Sequence, residues 1–188
     1  MDLSAFPPAL HTLLSDGRLP DLGPGRPNAS VRPALEAMTA ESLLGPLPIH
    51  RPESVQCCRA GLWLLHDFLD ESHTISQDID TVEGSYWHGI LHRREPDYSN
   101  AAYWFRRVRK HPIFEPLRQH AAELTVQAKT PTGSGFLAEQ SAWDPFAFID
   151  LCEAIALGRA SCELLCRRIQ RTEWDLLFTY CYEQATRP

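Results

Sequence analysis

Four of the eight histidines fall in one stretch, and they keep helical spacing. His66, Asp70 and His73 stand at i, i+4 and i+7, and His88, His92 and Glu95 repeat that offset. Residues three and four apart share one face of a helix. Two neighbouring helices would therefore each bring imidazole and carboxylate to common ground. Neutral imidazoles with ionised carboxylates are the donor set of a divalent transition metal such as zinc, iron, manganese or nickel. The same groups can act as acids and bases near neutral pH. His66, Asp70, His73, His88 and His92 are thus the expected metal ligands. Glu95 is the weakest member of its stripe, because Pro96 disfavours helical backbone beside it. The Asp70–His73 spacing matches carboxylate-bridged metal bundles, but only one copy of that motif is present.

The same residues admit readings without a metal, either as a polar pocket or as histidines hydrogen-bonded within a core. In the pocket reading, Arg93 or Arg106 holds a small anionic ligand, since a guanidinium matches carboxylate and phosphate geometry. Trp87 and Tyr103 would line the cleft. Clustered, partly buried imidazoles should also have their pKa values lowered, so that the folded chain resists protonation below about pH 6.5. Nucleophilic chemistry has less support. Ser72 and His73 are adjacent, so on a helix they point apart. Cys57 and Cys58 have no histidine at a helical offset, and the Thr130–Gly135 loop lacks the lysine of a phosphate loop.

The positioning elements read as helices. Ser54 can cap a helix running to about Gln77, with Leu62, Leu65, Phe68, Leu69 and Ile75 as its apolar stripe. Gly84 marks a break. A second helix runs from about Ser85 and ends by Glu95. Asp97 or Ser99 caps a third, which stops before His111-Pro112, and a fourth covers about Phe114 to Ala128. Asp144-Pro145 is a cap followed by proline at the first helical position, and that helix closes at Gly158. Another starts near Ala160, and Thr172-Glu173-Trp174-Asp175 has capping-box-like spacing for the last one. No segment alternates with a two-residue period. The expected fold is all-α, a single-domain helical bundle spanning residues 53–188.

Residues 1–52 differ, holding nine of the fifteen prolines. They read as a mostly irregular arm that packs on the core or on a second subunit, with short helices near Pro8–Ser15 and Pro33–Leu44. The length of 188 residues suits one domain with a sizeable core. A net charge of −6 argues against a nucleic-acid partner, although Arg106-Arg107-Val108-Arg109-Lys110 is locally basic and reads as a solvated face or an anion site. No apolar run is long enough for a membrane span. Met1-Asp2-Leu3-Ser4-Ala5-Phe6-Pro7-Pro8 is acidic and proline-broken, unlike a signal peptide. A cytoplasmic protein with six buried free thiols is the expectation.

Three resemblances add to this. The stretch from Gly84 to Arg107, with Leu65 to His73, resembles a family of uncharacterised bacterial and fungal proteins without an established activity. That resemblance implies that the motif acts as a unit and supplies no chemistry. The same stretch is similar to one tetratricopeptide or Sel1-like hairpin, with Gly89 and Ala101 as the small positions, Phe105 as the aromatic one and Pro112 closing the unit. A non-catalytic interaction module, self-associating as a homo-oligomer, is the corresponding alternative. Leu64-Leu65-His66-Asp67 is similar to the doublet of HD-type phosphohydrolases, which implies metal binding by His66 and Asp67. Here the upstream partners would be His11 or His50, and the glycine common after that doublet is absent.

Overall fold

A computed structural model describes residues 3–15, 17–128 and 133–188. Among these residues there are helices and no strands, as the patterning requires. Three short helices, α1 (Pro8–Leu14), α2 (Arg32–Glu36) and α3 (Ala40–Leu44), interrupt the proline-rich arm. The bundle follows as α4 (Pro52–Leu65), α5 (Leu69–Ser76), α6 (Val82–Arg94), α7 (Tyr98–Val108), α8 (Phe114–Gln127), α9 (Phe136–Glu139), α10 (Pro145–Ala156) and α11 (Glu163–Thr186). No helix of the described residues is long and apolar enough to cross a membrane. Thr130 to Thr132, part of the expected internal loop, lie outside the described residues, as do Met1 and Asp2.

Several ends follow from local chemistry. The Asp97 side chain accepts from the Asn100 N–H to start α7, and Asp144 accepts from Phe146 and Ala147 to start α10. Gly158, with φ of +68°, lies just past the end of α10. Other boundaries depart from expectation. Gly84 is no break. It sits in the first turn of α6, donating to the Thr81 hydroxyl at 3.1 Å, and a Cβ there would meet the Ile79 carbonyl oxygen at 2.3 Å. The expected start at Thr172 lies inside the single helix α11, where the Thr172 hydroxyl donates to the Arg168 carbonyl at 3.1 Å.

The largest correction concerns the helix expected from Ser54 to Gln77. It is two helices, α4 and α5, separated at His66–Phe68. Asp67 takes φ of 63°, a conformation that aspartate tolerates better than most side chains. Its buried carboxylate binds the Arg94 guanidinium, and Arg18 adds a contact at 3.3 Å. Arg94 also donates to the Leu64 carbonyl at 2.7 Å, where α4 loses its helical partners. Tertiary contacts thus impose a turn that the apolar stripe alone does not encode.

Helix α6 is the axis of the fold. Every residue from Gly84 to Arg94 is buried, between α4, α5 and α7. The α6–α7 approach is as close as the hairpin resemblance implies, since a Cβ on Gly89 would meet the Phe105 ring at 2.8 Å. Helix α11 joins two apolar clusters. Its Trp174, Leu177 and Phe178 pack with α1, α4 and α6, while Leu165, Cys166 and Ile169 pack with α8, α9 and α10. All six cysteines are free and buried, and burial pushes the Cys152 thiol up to about 12. The arm is part of this core, since Phe6, Leu10, Leu13, Leu35, Leu43 and Leu44 belong to the first cluster.

Arg93 and Glu173 form an ion pair with both side chains fully buried. The Tyr86 hydroxyl donates to Glu173 at 3.1 Å, and Gln170 accepts from Arg93 at 3.4 Å. Glu173→Ala is expected to destabilise the domain by about 3–5 kcal/mol, because it strands a buried guanidinium. Replacing Arg93 and Glu173 together by Met and Leu should recover most of that loss in denaturant unfolding. A double variant as unstable as the single one would mean that the pair is needed for more than mutual neutralisation.

Candidate metal centre

Three of the five expected ligands meet. His73 on α5 and His88 and His92 on α6 each offer a donor atom, and these atoms lie within 4.8 Å of one another. Successive turns of α6 stack the His88 and His92 rings at 4.6 Å and 21°. The turn at Asp67 aims α5 so that His73 stands edge-on to both, at 4.7 and 5.5 Å between centroids. Trp104 of α7 forms the floor, parallel to His88 at 4.1 Å. Ligands about a tetrahedral ion with bonds of 2.0–2.1 Å sit roughly 3.4 Å apart, so side-chain rotation would have to draw the imidazoles inward.

His66 and Asp70 do not join this group. His66 ends α4 on the far side of the Asp67 turn, and its Nε2 lies 3.0 Å from the Leu13 carbonyl of the arm. Asp70 is exposed, in a depression of about 410 Å³ shared with Glu71 and Glu95. The His66-Asp67 doublet therefore ties the arm and the turn, since Asp67 is held by Arg94 and Arg18. His66 and His73 cannot share a stripe once the helix is broken between them.

The expected anion-holding residues also divide. Arg93 is committed to Glu173 inside the core. Trp87 is fully buried against Gly61 and Trp174 and forms no wall of a cleft. Tyr103 and Arg106 do come together, in an open depression near the start of α6.

Three residues near the cluster carry more weight than the sequence suggested. Glu95 Oε2 lies 3.0 Å from Nδ1 of His92, despite Pro96. The carboxylate fixes the orientation of the ring, and a metal bond at the other ring nitrogen would have to displace the Asn100 amide. The Asn100 amide sits 3.1 Å from His92 Nε2, and Trp104 covers His88. The signals were available: Glu95 stands three residues after His92, and α7 is packed on α6 by Gly89 and Phe105.

Electrostatics keep the site ready for a cation. Burial, then the neighbouring His92 and His73, lower the His88 pKa to about 3. His92 is lowered by burial, with Glu95 opposing the shift. His88 Nδ1 is buried with no hydrogen-bond partner, a costly state for a ring nitrogen that a metal bond would relieve. Comparison with known proteins finds no match among protein families, curated proteins or solved structures.

The His88 shift has a measurable consequence. Between about pH 3 and the unfolded value of 6.5, the unfolded chain holds a proton that folded His88 refuses. Stability is therefore full above 6.5 and falls as pH drops below it, by at most about 1.4 kcal/mol per pH unit. Denaturant unfolding of metal-free protein from pH 7.5 to 4.5 should show this slope, and His88→Gln should flatten it. An equal slope in the variant would place His88 in solvent.

Proposed function

We propose that the protein binds one divalent transition metal ion through His73, His88 and His92. The observation that carries this reading is the convergence of three donor atoms within 4.8 Å, one of them from a buried imidazole whose Nδ1 has no partner. Burial lowers the pKa values of His88 and His92, and neutral imidazoles of this kind suit zinc, iron, manganese or nickel because protons do not compete for their lone pairs. Three protein ligands leave a coordination position for water or a small anion, as in catalytic rather than closed structural sites. Glu95 would orient His92 and raise its basicity, and Trp104 would keep water from His88. The bound ion would act as a Lewis acid on whatever occupies that open position.

Purified without chelator and then equilibrated with zinc or cobalt, the protein should retain about one equivalent and melt higher. At a free metal concentration of 100 times Kd, the gain is about 2.7 kcal/mol. His88→Ala should abolish retention, and Glu95→Gln should weaken it by about 10- to 100-fold. Retention well below one equivalent by wild type, or full retention by His88→Ala, would sink this reading.

A further inference from the structure

We infer a second site, for a small phosphate-bearing molecule, in the depression between the start of α6 and the end of α7. The depression has a volume of about 680 Å³, and Arg106, Arg107, Arg109, Tyr103 and Ser85 are among its walls. That volume is within the range of small-molecule pockets. Its charge balance is uneven. Asp80 pairs with Arg107 at 3.1 Å, while Arg106 and Arg109 have no carboxylate partner among the described residues. Two uncompensated guanidiniums match a dianion, and a phosphate monoester carries about −1.5 to −2 charges at pH 7. Guanidinium forks suit its oxygens. The Ser85 hydroxyl adds donor capacity on the α6 side.

Backbone conformation supplies an independent observation. Arg109 follows the last residue of α7 with φ of 56°, where glycine is the favoured residue. A side chain at such a position stores strain that glycine would release. Arg109 lines the depression together with Arg106 and Arg107. Tyr103 is 50% exposed there and offers a flat wall to a ring or sugar carried by the phosphate. Trp104 lies beside both sites, with the Arg107 guanidinium 5.3 Å from its ring and His88 stacked at 4.1 Å. The inference does not depend on a metal, because no residue of this depression is a metal ligand.

The test uses chelator-treated full-length protein in metal-free, low-salt buffer, titrated calorimetrically with inorganic phosphate and with phenyl phosphate. Wild type should bind both, phenyl phosphate more tightly. Arg106→Ala with Arg109→Ala should weaken both by about tenfold or more. Tyr103→Ala should erase only the advantage of the phenyl ring. Arg109→Gly should melt higher than wild type, having lost an unfavourable backbone conformation, yet bind phosphate at least about tenfold more weakly. The altered residues are exposed, so the variants should fold. Lack of binding by wild type, or wild-type affinity in the double variant or in Arg109→Gly, would overturn the inference. None of these results bears on metal retention by His73, His88 and His92, so the two proposals fail separately.

Discussion

The ion pair between Arg94 and Asp67 is the contact on which the arrangement of this domain turns. It lies at a place where a continuous apolar stripe would otherwise carry one helix from Ser54 to Gln77. Burying a guanidinium and a carboxylate is costly unless both are hydrogen-bonded, and Arg94 is bonded on every side. It meets the Asp67 carboxylate, the Leu64 carbonyl and the Gly23 and Pro24 carbonyls of the arm. Burial lowers the Arg94 pKa while Asp67 opposes the shift, a balance that leaves a charge needing its partner. The pair holds Asp67 in its positive-φ conformation and sets the direction of α5. That direction brings His73 to His88 and His92. The metal-ligand geometry is therefore downstream of a contact that contains no ligand.

The arm follows the same logic. A proline-rich segment cannot satisfy its carbonyls within a helix or a sheet, and buried carbonyls need partners. Here side chains supply them. Arg167 donates to Leu19 and Pro20, Arg171 to Arg18 at 2.8 Å, and Gln170 to Asp21 at 2.9 Å. A planar fork with five donors can reach two carbonyls at once, whereas lysine presents a point charge. Sixteen of the eighteen basic residues are arginine, which suits a chain whose irregular segment is fastened by guanidiniums. The core sides of α1 and α3 then pack beneath that fastening.

Much of this was legible in the sequence, and the pattern of what was not is physical. Helices α7 and α10 announce their starts by Asp97 and by Asp144-Pro145, and Pro96 announces the end of α6, because caps and prolines act through atoms only a few residues away. The all-helical class follows from the period of the apolar residues. The break at Asp67 depends on arginines distant in sequence, so no local signal marks it, and the 66/70/73 stripe was lost with it. Arg93 is a different case. It follows His92 directly, and adjacent helical residues diverge, so a ligand at 92 already implied that residue 93 faces elsewhere. The start expected near Ala160 is close to the observed one at Glu163, whereas the continuity of α11 is hidden because Thr172 and Glu173 imitate a cap while serving inside a helix. Glu95 stands beside Pro96, yet a fraying helix end can still aim a side chain.

The burial of α6 on all sides has a consequence for how such chains diverge. Helices of ordinary globular proteins keep one solvent-facing stripe on which substitutions accumulate at little cost. From Gly84 to Arg94 no such stripe exists. Two of its glycines have no room for a methyl group, its two arginines neutralise buried carboxylates, and its two histidines face a third. Helix α8, with Val126 71% exposed, has room to drift. A distant descendant of the same ancestor could thus lose all visible likeness elsewhere while these eleven consecutive residues still spelled out the kinship.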